Sequence, residues 1–429
     1  MHTFEEYFTT VVRAAAIPPR IIQPGECQSA ASKRCRLCFA VDLTYEKEIA
    51  LKNKALREFW RHHVPQTPLS PLVVSPLGRA YRTVTKRKAF LRKGRAHLGL
   101  IDPSESGSER WFSVIRCAIE PEEHARIYSA IRACLEKPYS TDLGENMNYV
   151  IIKGSYTEFT VILNVGEISA SIIRAANTLS KSLTYSCKNV VSLFLYEEAS
   201  HGRYYMGAKN PGVQPHLKKI FGKSEIYQRI AGRGFLYSPL SFSQVNQSIV
   251  ERLVAQAGEL LAFNKNQTLY DLYCGYGLFS VCLADKVRRV VGVEVSPQSV
   301  EAAEANATRN SIANARFIRS DITATSLEHI LKHASPDDVV LLDPPRNGTA
   351  EGVIEAIAAR KPKRILHLFC NIDLLSSELQ RWKSCGYKPI RAIPFDLFPG
   401  TSEVEIMVML EVSSFRFQVT DHQLSLIPH

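Results

Sequence analysis

The 429-residue sequence has no apolar run approaching the length of a bilayer-spanning helix, which argues against a helical membrane protein. Its first residues lack the basic start of a secretory leader and carry Glu5 and Glu6 instead. It shows no internal repeat and no low-complexity tract, which sets aside solenoids and disordered scaffolds. We expect a cytoplasmic chain of more than one domain. Ten cysteines in that compartment do not read as a disulfide framework, and each needs metal, catalysis or burial as its explanation.

Acid is missing locally as well. From Arg79 to Arg95 the chain carries Arg79, Arg82, Lys86, Arg87, Lys88, Arg92, Lys93 and Arg95 with no Asp or Glu. Over the whole chain 53 Lys plus Arg face 42 Asp plus Glu, a surplus that favours a polyanionic partner. A plain solvated basic face is the alternative. Tyr81 and Phe90 lie among these charges, which suits a surface that holds phosphates and stacks on bases.

The organisation changes along the chain. A helix is expected over about Tyr45 to Trp60, with Tyr45, Ile49, Leu56 and Trp60 on one face. A loop with Pro65, Pro68, Pro71 and Pro76 follows. The middle reads as an antiparallel α+β domain, with strands near Tyr149 to Lys153, Phe159 to Val165 and Val190 to Tyr196. From about Phe242 short apolar runs alternate with helical segments, the pattern of a doubly wound parallel α/β sheet. Ser296-Pro297 reads as a helix start. We expect units over 1–78, 79–238 and 239–412, with 413–429 a tail.

The first strand of that sheet runs into Asp271-Leu-Tyr-Cys-Gly275-Tyr-Gly277, a turn where backbone can approach a ligand. The next strand ends in Glu294, placed for ribose hydroxyls. The third glycine of the pyrophosphate fingerprint is absent, which favours S-adenosylmethionine over a dinucleotide. Asp321 and Asp343 follow the third and fourth strands. Each acid alone reads as a loop carboxylate; at successive strand ends they read as a cofactor site. Cys370 ends the fifth strand on the same edge, so a reactive thiol stands beside the plainer reading of a buried cysteine. Glu403 and Glu405 alternate further on, and only one of them can face that edge.

Five stretches carry a resemblance: Phe242-Ser-Gln244-Val-Asn246, Asp271 to Gly277, Asp343-Pro-Pro-Arg346, Cys370-Asn371 and Phe398-Pro-x-Thr-x-x-Val-Glu405. Together and in this order they resemble the RNA uracil-C5 methyltransferases. The resemblance implies that Gln244, Tyr273, Glu294 and Asp343, with Asp321, bind S-adenosylmethionine. It implies Cys370 as the nucleophile on uracil C6 and Glu405 as the base that removes the C5 proton. It implies that the uridine is flipped out of its stack. The chain departs from the family pattern at Ile372, Glu403 and Leu278.

Cys27, Cys35 and Cys38 form a cluster whose two-residue gap suits zinc or an iron–sulfur centre, with Cys117 the best fourth ligand. The resemblance to the ribosomal branch of the family implies a [4Fe–4S] cluster. It also points to 23S ribosomal RNA as partner, with no DNA and no membrane, and to a monomer. Only about 26 residues precede Cys27, so we expect no N-terminal β-barrel RNA-binding domain. The alternatives are a transfer-RNA uridine methyltransferase and a non-catalytic RNA-binding protein of the same fold.

Overall fold

A computed structural model describes residues 3–17, 27, 35, 38–40, 42–92, 95–102, 110–198 and 216–413. Lys93 of the basic stretch and residues 414–429 of the expected tail lie outside them. Among the described residues no helix is long and apolar enough to cross a membrane.

Two helices come first. α1 (Phe4–Ala15) opens on a reciprocal cap between Thr3 and Glu6 and buries Phe4, Phe8 and Val11 along one stripe. α2 (Tyr45–His63) starts with Glu46 and Glu48 and ends with Arg61, His62 and His63, charges that suit the helix dipole at each end. The proline-rich loop then runs extended beside a C-terminal strand, with bridges from Leu69 to Ala392 and Val73 to Phe395.

The central unit holds β1 (Thr85–Arg92), β2 (Arg95–Asp102), β3 (Arg110–Ser113), α3 (Glu122–Leu135), α4 (Thr141–Asn146), β4 (Met147–Gly154), β5 (Phe159–Val165), α5 (Ala170–Ser186), β6 (Val190–Glu197) and β7 (Leu217–Gly222). Their sheet order is 3-2-1-4-5-6-7, antiparallel except for the parallel pair β5 and β6. A hairpin, β8 (Ile226–Ile230) and β9 (Arg233–Tyr237), leads out of it.

The C-terminal unit follows as α6 (Val250–Leu261), β10 (Thr268–Leu272), α7 (Leu278–Leu283), β11 (Arg289–Glu294), α8 (Pro297–Arg309), β12 (Ala315–Arg319), α9 (Ala324–Ile330), β13 (Val339–Leu342), α10 (Val353–Ala358), β14 (Arg364–Phe369), α11 (Leu375–Ser384), β15 (Tyr387–Phe395) and β16 (Glu405–Val412). The order is 12-11-10-13-14-16-15; the first five strands are parallel, and β16 runs antiparallel to both its neighbours, β14 and β15. α6, α7 and α8 cover one face. α9, α10 and α11 cover the other, joined by α1 and α2. Phe4, Phe8, Phe59 and Trp60 are buried in that layer, each contributing about 1.5–3 kcal/mol by removal from water. All carboxyl ends of the parallel strands lie on one edge, where the strand order reverses beside β10 and a doubly wound sheet opens a crevice.

Two expectations from the basic stretch need correction. Arg87 is no phosphate contact. It is 1% exposed, and its guanidinium grips both oxygens of Glu120 at 2.7 Å. Tyr81 is fully buried and cannot stack on a base. Both fall on the inward side of their segments, where a long side chain packs its stem and satisfies its charge internally. Arg79 is also occupied, bonding Glu48 and the carbonyl of Ala40.

Helix α2 carries a buried charge network that the apolar pattern concealed. Lys52 and Glu48 are fully buried, and Lys52 Nζ lies 2.9 Å from Glu48 and 2.8 Å from Asp396. Tyr45 donates to the other Asp396 oxygen at 2.9 Å. Lys52 also donates to the Phe398 carbonyl, and Gly400 N donates to Glu48. α1 holds neighbouring loops: Phe4 N donates to Asp373 at 2.8 Å and Ser402 donates to Glu5 at 3.0 Å.

Candidate active site

The strand-end edge gathers the polar groups singled out above. After β10 the chain turns through Tyr273, Gly275 and Gly277, all at positive φ (65°, 53° and 87°). A Cβ at Gly275 would meet nothing within 4 Å, so this turn borders open space. Glu294, closing β11, accepts from Gly275 N at 3.2 Å and Ser296 N at 2.8 Å. It therefore pins the turn after one strand to the helix start after the next. Asp321 lies just beyond β12, and Asp343 just beyond β13. Asp271 is buried beneath them, accepting from Ser280 N and Oγ at 2.9 and 2.6 Å; burial pushes its carboxyl up to about 7. Gln244 is buried in the segment that leads into α6. This donor set offers carboxylates and bare backbone with no cationic phosphate cradle among them. It fits a nucleoside cofactor without phosphates, and Glu294, Asp321, Asp343 and Tyr273 are residues that could hold one.

Beside this edge stands a compact acid–thiol group. Cys370 follows β14, and its Sγ donates to Asp343 Oδ1 at 3.2 Å. Glu405 opens β16, which pairs Phe369 with Ile406, so Glu405 comes alongside Cys370. Glu405 Oε2 is buried without a hydrogen-bond partner. A buried acceptor without a partner is costly and marks a place where a ligand is received. Burial, with Asp343 close by, lifts the Glu405 carboxyl to about 8. Burial lifts Asp343 to about 6. Burial and the Asp343 and Glu405 charges hold the Cys370 thiol well above its ordinary range.

Glu403, the other acid of the pair, points elsewhere. It forms an ion pair with Arg346. Arg346 in turn pulls down both the Cys370 thiol and the Glu405 carboxyl. Two further residues shape this corner: His367 is buried behind Cys370, stacked on Phe369 and accepting from Trp382 Nε1 at 3.1 Å. Neither His367 nor Trp382 was singled out from the sequence; a histidine inside an otherwise apolar strand was the available signal.

Glu405 gives a prediction for stability. Its carboxyl is raised from 4.5 to about 8 in the folded chain. The folded state therefore binds the proton more tightly, and stability from this group is full below pH 4.5 and lost as pH rises through 8. Glu405→Gln should match the wild type near pH 4.5 and exceed it by a few kcal/mol at pH 8.5, read by urea unfolding. A difference constant across pH would refute this.

The cysteines divide. Cys38 and Cys117, distant in sequence, are in hydrogen-bond contact. Cys27 is buried and Cys35 half-buried. Among the described residues no group of three or more side chains is assembled to hold a metal. Cys134 and Cys274 are buried, and Cys187, Cys282 and Cys385 border the cores.

Comparison with known proteins bears on this site. A family model described as tRNA (uracil-5-)-methyltransferase matches residues 216–413. An uncharacterized RNA methyltransferase of Bacillus cereus is 27% identical over 385 residues, 88% of this chain and 82% of that protein. One of Thermotoga maritima is 26% identical over the same shares. The tRNA (uracil-54, C5)-methyltransferase of Pyrococcus abyssi, solved with S-adenosyl-L-homocysteine, superposes with a TM-score of 0.64 at 20% identity, covering 87% of this chain and 85% of that one, and so shares the fold. Over residues 216–413 the chain thus matches the tRNA (uracil-5-)-methyltransferase family model, and over most of its length it is similar to proteins described as RNA methyltransferases.

Proposed function

We propose that this enzyme methylates C5 of a uridine in 23S ribosomal RNA through a covalent adduct between Cys370 and C6. The observation that carries the reading is the placement of Cys370 Sγ between Asp343 and Glu405, on the strand edge that also bears Glu294 and Asp321. C5 of uracil is a weak nucleophile. Sulfur addition to C6 makes C5 enolate-like. S-adenosylmethionine, when bound, supplies the methyl group as an electrophile on a sulfonium. Asp343 stands at the thiol to take its proton as the C–S bond forms. Glu405, ionised, removes the C5 proton, and the elimination that follows releases the Cys370 thiolate. Arg346 lowers the cost of negative charge on both groups. Gln244, Tyr273, Glu294, Asp321 and Asp343 hold the cofactor in this reading.

The choice of ribosomal RNA rests on the cysteines. In this reading Cys27, Cys35, Cys38 and Cys117 hold a [4Fe–4S] cluster, supported by the contact between Cys38 and Cys117. Four thiolates suit such a cluster, and its part here is to tie segments together. Anaerobically purified protein should contain iron and acid-labile sulfide in equal amounts, lost in Cys38→Ser and in Cys117→Ser. Zinc in their place, or no metal, would contradict it. A transfer-RNA substrate is the second reading, favoured by the description of the matching family model. Labelled S-adenosylmethionine incubated with 23S and transfer-RNA transcripts decides: 5-methyluridine in 23S RNA alone supports the first, and in transfer RNA alone the second.

A further inference from the structure

The central sheet has two unlike faces. On one, Ala89, Ala96, Leu98, Val150 and Ile152 pack under α3 and α5. The helices that touch β1 and β2 lie on this side. Alternation along the strands sends Lys86, Lys88 and Phe90 of β1, His97 of β2 and Trp111 of β3 to the other face, all half-buried. There the rings of Phe90 and Trp111 meet at 4.6 Å and 61°, and His97 meets Trp111 at 5.4 Å and 84°. Gly99 makes room for the indole, since a Cβ there would lie 2.6 Å from Trp111 Nε1. Lys88 donates to the Asn148 side chain and sits 4.7 Å from the Tyr149 ring and 6.0 Å from Phe90, and Lys86 sits 5.5 Å from Tyr149. Arg92 and Arg95 are exposed at the turn end of the same strands.

This face leads toward the active site. Four residues beyond Tyr149 on β4, the buried Lys153 donates to the carbonyls of Pro239 and Ser241 at 2.9 and 2.5 Å. Ser241 precedes Phe242, which is 72% exposed, and Gln244. Aromatic rings flanked by cations on an open sheet face suit one ligand chemistry above others, that of unpaired nucleotides. Bases stack on the rings, phosphates meet the cations, and the fit does not depend on sequence.

We propose that the open face of β1, β2 and β3 is a stacking platform for an unpaired stretch of the substrate RNA, with Phe90, Trp111 and His97 under the bases and Lys86, Lys88, Arg92 and Arg95 along the phosphates. The proposal rests on the function proposed above and adds where the substrate RNA lies before it reaches Cys370.

Trp111 is itself the reporter, because Trp60 and Trp382 are buried. A short single-stranded RNA added to the full-length protein should quench its tryptophan fluorescence, and the same strand annealed to its complement should not. Phe90→Ala and Trp111→Leu should each weaken single-strand binding about ten-fold with the salt slope unchanged, and Trp111→Phe should restore most of the loss. Lys86→Gln with Lys88→Gln should lower the slope of log affinity against log salt by about 0.7 for each cation removed. A purely structural role would lower thermal stability in Phe90→Ala and Trp111→Leu while leaving RNA affinity and quenching as in the wild type, and that result overturns the platform. Quenching by duplex as strong as by single strand overturns it too. If the platform variants are silent while 5-methyluridine still forms, only the platform fails; if no RNA binds and none is methylated, the functional reading fails with it.

Discussion

Cys370→Ala loses methyl transfer to RNA by about 10⁴-fold or more, the scale on which removal of a covalent nucleophile is felt. The thiol is the one group at the strand edge able to add to C6, and no second cysteine is assigned to this corner: Cys274 is buried under the cofactor turn. The substitution removes a half-buried side chain that bonds Asp343 at the strand edge, so the fold survives and S-adenosylmethionine binding stays within a few-fold of the wild type. Isothermal titration with the cofactor beside a single-turnover methylation assay separates the two effects. Residual activity within ten-fold of the wild type would remove Cys370 from the chemistry.

Lys52→Ala should destabilise the chain by about 3–5 kcal/mol, because it strands Glu48 and Asp396 as buried charges with no cation between them. The loss should reach catalysis as well. Glu48 and Lys52 fix Gly400 N and the Phe398 carbonyl, and that loop runs directly into Glu405. Urea unfolding measures the first effect. The second appears as a lower kcat at temperatures where the variant remains folded. A variant as stable as the wild type would show that the network is solvated and contributes little.

These contrasts show which features a sequence can carry. Strand ends of the parallel sheet were legible because apolar runs stop abruptly at Asp271, Glu294, Asp343 and Cys370, and a parallel sheet must bring such ends to one edge. That Glu405 and Glu403 part company was not legible from alternation, since positions two apart on a strand share a face; Glu403 falls before β16 begins and pairs with Arg346. Which one meets Cys370 was set by the pairing of β14 with β16, a long-range fact. Arg87 was misread, and Lys52 passed unnoticed, for a common reason. A charged letter implies a surface position, and only the tertiary partners Glu120 and Asp396 reverse that. The laying of α1 and α2 over the C-terminal sheet was invisible for the same cause: their apolar stripes announce a partner without naming it. Trp111 meets Phe90 only across strands, so no local spacing could join them.

The central claim is a covalent bond between Cys370 and C6 of a uridine, with C5 the atom methylated. RNA bearing 5-fluorouridine tests it most directly, because fluorine at C5 cannot leave as a proton does. Full-length protein, S-adenosylmethionine and such 23S RNA should give a complex that survives a denaturing gel, absent for Cys370→Ala. A stalled complex formed equally by Cys370→Ala, or none formed by wild-type protein that binds both RNA and cofactor, would contradict it.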